Sequence, residues 1–425
     1  MDALREILPV TKPLQASIRP PGSKSLTNRA LICAALSRGR STLSGSLESE
    51  DTRVMVRALQ SLGIGIDAVW NRATLTVDGC GGVLPVQDAE LDLDGSGTSI
   101  RFLTAMAATG TSVITLDGNP RMRERPIGHL ADALRQCGTD IKTQSGFPPV
   151  VVHANRLSGA TVSLRGDISS QYLSALLLAA PAARNVMEFN IEGPQVSKPY
   201  IAMTCAVMDA FGVEVEQVDN RRFRVAPQQY ESQIYEIEPD ASAASYFWAA
   251  AAITGGRVRV EGLNRESLQG DVAFCTCLER MGCELEHDTS GTTVIGKPLS
   301  GIDVDMAAIS DTVQTLAAVA LFAEGPTSIR GVAHIRHKES DRIGDLAREL
   351  RKLGAIIEET VDGLCIHPQP LREARIETYN DHRMAMSLAV AGLRMPGIQI
   401  VDPDCTAKTY PHFFDDLESM ASGAR

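Results

Sequence analysis

Apolar residues are concentrated in six stretches of the chain, and each stretch is apolar on nearly every helical face. The six stretches begin at Pro21, Asp94, Gly166, Pro239, Ile309 and Tyr379. Each opens with small or polar residues that favour a helix N-cap and continues as a run rich in Ala and Leu. Such a run predicts a helix that is buried on most sides and reaches solvent only at its polar N-terminus.

The six stretches recur at an even spacing. Successive starts lie 73, 72, 73, 70 and 70 residues apart, which indicates an internal repeat. A second helix pattern follows in each repeat and ends at a glycine that suits a helix C-cap. These glycines are Gly63, Gly138, Gly212, Gly282 and Gly354. Each repeat is therefore predicted to contain helix, strand, helix and strand with an additional strand or hairpin, and it is too small to be stable alone.

Three repeats per domain predict an α/β protein of two similar globular domains, with helices inside and sheets outside. We expect a first domain over residues 21–238 and a second over residues 1–20 and 239–425, so that the N-terminal segment supplies a strand to the second. The two would be hinged around an interdomain cleft that the helix N-termini face. A length of 425 residues with 44% apolar residues suits two cores. A solenoid is disfavoured because its repeats are usually shorter and expose one helix face.

Composition and charge narrow the choice of partners. A net charge of −11 argues against nucleic acid or an anionic membrane as partner. No apolar run reaches membrane-spanning length, and the N-terminus lacks the layout of a signal peptide, so we expect a cytosolic protein.

Nine scattered cysteines predict free thiols. The cluster of Cys275, Cys277 and Cys283 lacks a metal-ligand spacing, so we expect three core thiols and no metal.

Basic residues gather at the predicted helix starts and in the turns beside them. They are Lys24, Arg29, Arg101, Arg121, Arg123, Arg125, Lys198, Arg336, Lys338, Arg342, Arg383 and Lys408. The first N–H groups of a helix have no partner inside it, and the macrodipole adds partial positive charge, so helix starts favour anions. A basic pocket in an acidic protein predicts a small ligand with several negative charges.

Seven segments, in this order along the chain, resemble the 5-enolpyruvylshikimate-3-phosphate synthase family. They are PGSKSLTNRA (21–30), PRMRERPIGHL (120–130), GDISSQY (166–172), VSKPY (196–200), HKESDR (337–342), YNDHRMAM (379–386) and DCTAKTYP (404–411). The resemblance implies a two-domain inside-out α/β fold that closes on shikimate 3-phosphate and phosphoenolpyruvate. It implies transfer of the enolpyruvyl group to the 5-hydroxyl with loss of phosphate through a tetrahedral intermediate, in aromatic amino acid biosynthesis. It also implies a glyphosate target, and we expect a monomer that needs no cofactor.

The first helix start shows how the residues support this chemistry. Ser25 and Arg29 share a helix face, and Lys24 stands at the turn where the free N–H groups point, as in a phosphate site. The alternative is a capped helix with a solvated lysine. By resemblance, shikimate 3-phosphate contacts Lys24, Ser25, Arg29, Ser169, Ser170, Gln171, Ser197, Tyr200, Asp311, His334 and Lys338. Phosphoenolpyruvate contacts Lys24, Gly97, Arg125, Gln171, Arg342, His382, Arg383 and Lys408 by the same resemblance.

Two carboxylates stand among these basic residues. Asp311 occupies the fifth helix start, where an aspartate is usually a structural N-cap, but a carboxylate beside a hydroxyl can also take its proton. Glu339 lies in the run HKESDR, where on a helix Lys338 and Arg342 would share one face. A solvated charged face is the alternative for that run. The resemblance implies that Asp311, Glu339 and Lys24 are catalytic.

Two other functions remain open from the sequence. A UDP-N-acetylglucosamine enolpyruvyl transferase would share the fold and chemistry but usually carries a cysteine in the loop matched by GNPRMRERP, which has none. A non-catalytic anion-binding protein would keep the arginines but need neither Asp311 nor Glu339, so these carboxylates favour an enzyme. The chain departs from the family at Gly95 and His334, where Asn is frequent.

Overall fold

The computed structural model describes residues 3–425, which form twelve α-helices and 23 β-strands. The helices are α1 (Lys24–Leu36), α2 (Glu50–Ser61), α3 (Gly97–Ala107), α4 (Gly128–Gln136), α5 (Ser170–Ala179), α6 (Lys198–Ala210), α7 (Ala241–Thr254), α8 (Phe274–Arg280), α9 (Val313–Ala320), α10 (Gly344–Lys352), α11 (His382–Gly392) and α12 (Phe413–Ser422).

The strands are short and lie between these helices. They are β1 (Leu4–Ile7), β2 (Gln15–Ile18), β3 (Arg38–Ser44), β4 (Gly65–Val69), β5 (Thr74–Cys80), β6 (Asp88–Asp92), β7 (Val113–Asp117), β8 (Asp140–Gln144), β9 (Phe147–His153), β10 (Thr161–Arg165), β11 (Met187–Glu192), β12 (Glu216–Asp219), β13 (Arg222–Val225), β14 (Ile234–Glu236), β15 (Arg257–Glu261), β16 (Glu284–Asp288), β17 (Gly291–Ile295), β18 (Asp303–Asp305), β19 (Thr327–Arg330), β20 (Ile356–Glu359), β21 (Leu364–His367), β22 (Ala374–Ile376) and β23 (Ile398–Val401).

The six predicted buried helices are α1, α3, α5, α7, α9 and α11. Every residue of α9 and α11 is buried, and α1 is buried from Leu26 onward. Five of the six begin at a residue whose side-chain oxygen accepts a hydrogen bond from a first-turn N–H. These N-cap residues are Ser23, Ser96, Ser169, Asp240 and Asp381. The predicted repeat of capped, buried helices is therefore confirmed at five starts, with α9 as the exception described below.

The second helix of each repeat ends as the sequence predicts. The five glycines that follow α2, α4, α6, α8 and α10 all have positive φ, from 78° at Gly212 to 117° at Gly282. This left-handed backbone closes the last helical turn, and it costs glycine little because glycine has no Cβ. These helices bury only one face, as in α10, where Leu346, Ala347 and Leu350 are buried. They therefore pack by one face against the rest of their unit.

Five four-stranded sheets share one topology. In the sheet ordered β6-β7-β9-β8, the strand before the buried helix runs parallel to the strand after it, and a hairpin adds two antiparallel strands. The sheets β10-β11-β13-β12 and β18-β19-β21-β20 repeat this order. Residues along the strands alternate between buried and exposed positions, as in β10, where Val162 and Leu164 are buried. Each sheet therefore presents one face to the helices.

Two sheets take their first strand from a distant part of the chain. Strand β14 pairs with β3, with Tyr235 opposite Leu43, and completes a sheet of the first three repeats. Strand β2 pairs with β15, with Ala16 opposite Val258, and completes a sheet of the last three. The sixth sheet has three strands, in the order β1-β23-β22. The N-terminal segment thus contributes strands to the sheets of the last three repeats.

The described residues form two compact units, here called unit I (residues 22–237) and unit II (residues 3–21 and 238–425). In unit I, helices α1, α3 and α5 pack together around residues such as Leu31 and Leu176. In unit II, helices α7, α9 and α11 pack together around residues such as Trp248 and Leu316. Each unit therefore has its helices inside and its sheets outside, as predicted. None of the helices in residues 3–425 has the length and apolar character needed to cross a membrane.

Candidate functional site

Arg29 is a buried arginine in unit I that forms no ion pair with any carboxylate of the described chain. Its Nε donates to Thr204 Oγ1 at 2.8 Å, its Nη1 to the Ser25 carbonyl at 2.9 Å and its Nη2 to the Tyr200 carbonyl at 3.2 Å. Burial lowers the pKa of Arg29 to about 10, so the side chain is still charged at neutral pH. A buried charge without a counter-ion is costly, which makes this position suited to an anionic ligand.

Arg101 is a second buried arginine of unit I, and no carboxylate of residues 3–425 pairs with it either. Its Nη1 donates to Gln171 Oε1 at 2.6 Å and to the Gly97 carbonyl at 3.1 Å. Gln171 is held in turn by a bond from its Nε2 to Thr98 Oγ1 at 3.2 Å. Arg101 is one of the basic residues at the predicted helix starts, but the family resemblance did not assign it to the site. Its signal was available, because it lies one turn into a predicted helix start.

Gly97 is the first residue of α3 and has arginine side chains directly beside its Cα. A Cβ at this position would lie 2.6 Å from Arg125 Nη2 and 2.8 Å from Arg101 Nη1, so only hydrogen fits while these guanidinium groups stay in place. The guanidinium groups of Arg121 and Arg123 are instead exposed and bond Glu124 at 2.8 Å and Asp117 at 2.6 Å. Arg125 is therefore the one arginine of the RMRER segment that is turned toward Gly97.

Lys24 and Asp51 form an ion pair in unit I. Lys24 Nζ lies 3.2 Å from Asp51 Oδ2, and both side chains are mostly buried. Sequence reasoning did not name Asp51, although an acidic residue in the first turn of a helix is favoured there by the macrodipole. Asp51 holds the lysine amine at the start of α1 and lowers the net charge around it.

The remaining predicted residues of unit I also lie at helix starts. Ser169 is the N-cap of α5 and accepts from the Gln171 N–H at 3.2 Å, so its hydroxyl has a structural role in the free protein. Ser170 begins α5, and Ser197 precedes α6 with a left-handed φ of 52°. Arg29 bonds residues of α5 and α6, and Arg101 bonds Gln171 of α5 from α3. Hydrogen bonds thus bring the starts of α1, α3, α5 and α6 together.

In unit II, Asp311 is surrounded by three cationic side chains. Its Oδ1 accepts from Lys338 Nζ in a short bond and lies 3.3 Å from Arg342 Nη1, while its Oδ2 accepts from Arg383 Nη2 at 2.8 Å. Burial opposes ionisation, but the charges of Arg383, Lys338 and Arg342 outweigh it and hold the pKa of Asp311 well below its usual range. Asp311 is therefore a carboxylate at neutral pH.

The structure does not show the alternative role of Asp311 as a structural N-cap. Asp311 lies inside a 3₁₀ turn, Ser310–Thr312, and Thr312 occupies the N-cap position of α9 without a side-chain cap bond. The Asp311 carboxylate is instead directed to cations of later segments, 27 to 72 residues away in the chain, because their charges attract it. Long-range charge pairing has replaced the local bond that the sequence suggested.

Arg342 connects Asp311 to two further carboxylates. Its Nε and Nη2 donate to the two oxygens of Asp381 at 2.7 and 3.0 Å, and its Nη2 also lies 2.9 Å from Glu339 Oε2. These carboxylates raise the pKa of Arg342 despite its burial. Lys408 Nζ lies 4.0 Å from Glu339 Oε1. Asp381 was not assigned a role from sequence, although its place before a helix start marks it as an N-cap.

The run HKESDR does not form the helix on which Lys338 and Arg342 would share a face. Residues Ala333–His337 form a 3₁₀ helix, Lys338 has an extended ψ of −146°, and α10 begins only at Gly344. The Asp341 carboxylate accepts from the N–H groups of Ile343 and Gly344, both at 3.1 Å, and so holds a turn that competes with helix. Lys338, Glu339 and Arg342 still meet at Asp311, but by loop geometry rather than by a shared helix face.

The two predicted histidines of unit II lie among the charged residues of this arrangement. Nε2 of His334 lies 3.0 Å from Ser310 Oγ, and burial together with the charge of Lys338 lowers its pKa to about 3. His382 is buried, and its Nδ1 lies 3.8 Å from Asp381 Oδ1. His334 therefore offers a neutral ring for hydrogen bonding.

The two clusters differ in their charge balance. In unit I, Arg29 and Arg101 are buried and have no carboxylate partner among residues 3–425, which leaves positive charge for a ligand. In unit II, four cations face three carboxylates: Lys338, Arg342, Arg383 and Lys408 face Asp311, Glu339 and Asp381. An anion that binds these cations must exchange with a carboxylate of the protein. The same carboxylates are groups that can carry protons in a reaction.

Comparison with known proteins identifies relatives over the whole chain. The profile of the family described as EPSP synthase (3-phosphoshikimate 1-carboxyvinyltransferase) matches residues 9–417. A 3-phosphoshikimate 1-carboxyvinyltransferase of Nostoc punctiforme is 49% identical over 424 residues, which cover 99% of both chains. One of Shewanella denitrificans is 45% identical over 417 residues, which cover 97% of both chains.

Solved structures agree with this result. An EPSP synthase of Acinetobacter baumannii superimposes with a TM-score of 0.82 at 27% identity, over 99% of this chain and 98% of that one. An enolpyruvyl transferase of Streptomyces tendae superimposes with a TM-score of 0.76 at 20% identity, over 98% and 97%, which shows a shared fold. From the profile match, the identity to the relatives and the shared fold, the chain belongs to the EPSP synthase family.

Proposed function

We propose that this protein transfers the enolpyruvyl group of phosphoenolpyruvate to the 5-hydroxyl of shikimate 3-phosphate and releases inorganic phosphate. Both substrates are small molecules with several negative charges, in keeping with the buried arginines of unit I and the cations around Asp311. Membership of the EPSP synthase family supports this substrate pair over other anions.

In this proposal unit I supplies most of the contacts to shikimate 3-phosphate. Arg29 offers a buried guanidinium without a counter-ion, and Lys24, Ser25, Ser169, Ser170, Gln171, Ser197 and Tyr200 lie at the helix starts that it and Arg101 connect. Gly97 and Arg125 form a separate contact for phosphoenolpyruvate, because the glycine lets a ligand approach the guanidinium groups closely. Unit II adds Arg342, His382, Arg383 and Lys408 for phosphoenolpyruvate, and His334 and Lys338 for shikimate 3-phosphate.

The chemistry requires one group to remove a proton and another to deliver one. The 5-hydroxyl oxygen attacks C2 of phosphoenolpyruvate as the vinyl carbon gains a proton, and the tetrahedral intermediate then loses a methyl proton and phosphate. Asp311 is the base for the hydroxyl in our proposal, since it is ionised and buried among cations. Glu339 serves the vinyl carbon, with Lys24 as the competing acid. Arginine is excluded from both roles because it stays protonated at neutral pH.

The observation that carries this assignment is the contact of Asp311 with Lys338, Arg342 and Arg383. In the free protein these cations make Asp311 a weak base. When substrate anions bind the same cations, the charge around Asp311 falls and its pKa rises toward the range in which it accepts a proton. The base is thus strengthened only in the complex, which is consistent with chemistry that must wait for both substrates.

The experiment is a phosphate-release assay with purified protein, phosphoenolpyruvate and shikimate 3-phosphate. Phosphate release that needs both substrates, with the carboxyvinyl product identified by mass spectrometry, supports the proposal. Replacing shikimate 3-phosphate by UDP-N-acetylglucosamine tests the related transferase. Binding of both anions without phosphate release would instead point to a non-catalytic anion-binding protein.

We also propose that the protein acts as a cytosolic monomer without nucleic-acid partners. Its net charge of −11 disfavours polyanionic partners, and its nine cysteines carry free thiols. Light scattering after size exclusion should give a mass near the 45.6 kDa of one chain. A mass of twice that value would reject the monomer.

A further inference from the structure

Two consecutive residues before α11 have a backbone conformation that side chains rarely adopt. Tyr379 has a φ of 55° and Asn380 a φ of 53°, and the turn closes with a bond from the Asp381 N–H to the Thr378 carbonyl at 2.8 Å. Asparagine enters this left-handed region fairly readily, but tyrosine does so at a cost. Such a turn persists only where its surroundings hold it, so the groups that hold it are of interest.

The side chain that holds the turn is Glu349 of α10, which the proposed chemistry does not use. It is fully buried, and its Oε1 accepts from the Tyr379 hydroxyl at 2.6 Å while its Oε2 accepts from the Glu377 N–H at 3.0 Å. Arg348 donates to the same tyrosine hydroxyl at 3.0 Å and lies over its ring. A carboxylate that only paired with Lys352, 2.7 Å away, would not need to be buried.

The turn places the Asp381 carboxylate beside the Arg342 guanidinium. Immediately after Asn380, the Asp381 carboxylate accepts two bonds from Arg342 and one from Ser340 Oγ at 2.9 Å. Helix α10 also touches the segment that carries Arg342, since Asp345 Oδ2 accepts from the Asp341 N–H at 3.0 Å. One helix therefore contacts the segments that carry both partners of the Arg342–Asp381 pair.

We propose that Glu349, acting through the Tyr379 hydroxyl, is a positioning residue that sets the Arg342–Asp381 pair and with it the phosphoenolpyruvate contacts of unit II. The inference rests on the proposed function for its substrate, and on the hydrogen bonds above for its geometry. Releasing the turn lets Tyr379 and Asn380 relax to negative φ, which moves Asp381 and turns the Arg342 guanidinium. A displacement of about 1 Å at a substrate-positioning group can cost on the order of 100-fold in activity.

The test compares Tyr379→Phe, which removes one hydroxyl, with Glu349→Gln. Each variant should raise the KM for phosphoenolpyruvate about 10- to 100-fold with a smaller change in the KM for shikimate 3-phosphate. Adding Asn380→Gly to Tyr379→Phe should recover a part of that loss, because glycine adopts positive φ more readily than asparagine while the cost at residue 379 remains. Lys352→Gln is the matched control: it removes an ion pair of the same glutamate without touching the turn, and its KM values should equal those of the wild type.

The outcomes separate this inference from the proposed function. An active wild type with unchanged KM for phosphoenolpyruvate in both variants overturns the positioning role, and so does a loss that Asn380→Gly fails to recover in any degree. A wild type without phosphate release overturns the proposed function instead. In that case crystal structures of wild type and Tyr379→Phe decide the positioning: retention of both Arg342–Asp381 bonds and of positive φ at residues 379 and 380 would reject it.

Discussion

Arg342 donates through Nε and Nη2 to both carboxylate oxygens of Asp381, at 2.7 and 3.0 Å, and both side chains are buried. This bidentate geometry gives the arginine a fixed direction and compensates its charge. Arg29 in unit I is equally buried but bonds only hydroxyl and carbonyl oxygens. The two arginines therefore differ in what their removal leaves behind.

We predict that Arg342→Met and Arg29→Met lower the free energy of unfolding by different amounts. Loss of Arg342 leaves three carboxylates close together and should cost about 3–5 kcal/mol of unfolding free energy. Loss of Arg29 leaves only neutral groups, so a side chain of similar volume should cost less than about 1.5 kcal/mol. The latter variant should still raise the KM for shikimate 3-phosphate about 100-fold, since bonds from a charged donor are lost. Urea unfolding and steady-state kinetics on the pair measure both effects, and equal stability losses would contradict the charge argument.

Asp311→Asn and Glu339→Gln should slow turnover rather than weaken binding. Each keeps the size of the side chain and one hydrogen-bonding oxygen but can no longer exchange a proton at neutral pH. Turnover should fall by about 10²- to 10⁴-fold, the usual contribution of a general acid or base. Calorimetry with shikimate 3-phosphate should show nearly normal affinity. Asp303→Asn, at an exposed carboxylate of unit II that pairs with Arg330, is the control and should turn over like the wild type. Lost binding that accounts for all of the lost activity would refute the catalytic assignment.

Gly97→Ala should weaken phosphoenolpyruvate binding with little effect on stability. The new methyl group would lie within 2.8 Å of guanidinium atoms of Arg125 and Arg101, and these flexible ends can move aside at small cost to the fold. Their movement displaces ligand contacts, so the KM for phosphoenolpyruvate should rise about tenfold, as for other single-methyl changes in a pocket. Gly110→Ala is a matched control because its Cβ would make ordinary contacts, with the nearest atom at 3.5 Å. Equal KM values in the two variants would remove Gly97 from the site.

His334 should make the protein less stable in mild acid. Its pKa is lowered to about 3 in the folded state and returns to an ordinary value near 6.5 on unfolding, so the unfolded chain binds a proton that the folded one refuses. Stability from this residue is complete above about pH 6.5 and falls as the pH drops toward 3. Between pH 7.5 and 5.5 the loss is about 1 kcal/mol.

The measurement is urea unfolding at these two pH values for wild type and His334→Asn. The variant should lose about 1 kcal/mol less than the wild type on acidification. Burial and the charge of Asp311 raise the pKa of Asp271 to about 6, which acts in the opposite direction but is common to both proteins and cancels. His412→Asn, at an exposed side chain of the same unit, should leave the pH dependence unchanged. An identical pH dependence in wild type and His334→Asn would show that His334 is not the group responsible.

The repeated architecture follows from the order of apolar and polar residues along the chain. A helix that is apolar on all faces can only be buried, and the even spacing of six such helices requires six equivalent units. Local chemistry also marked their ends, because Ser23 and Asp240 serve as N-caps through bonds within one turn, and glycines such as Gly282 close the helices that follow. These interactions join residues that are close in the chain, so they can be predicted from the amino-acid sequence.

The pairing of charges was decided only by the tertiary structure. Asp311 meets Arg383 across 72 residues and Asp381 meets Arg342 across 39, and no local pattern specifies such contacts. The same limit applies to HKESDR, where the carboxylate of Asp341 stabilises a turn instead of a helix. The sequence could place cations and carboxylates at helix starts, but which of them are compensated depends on the folded neighbours. Arg342 is already paired because Asp381 is brought to it. Within residues 3–425 no carboxylate is brought to Arg29, which can therefore attract an anion.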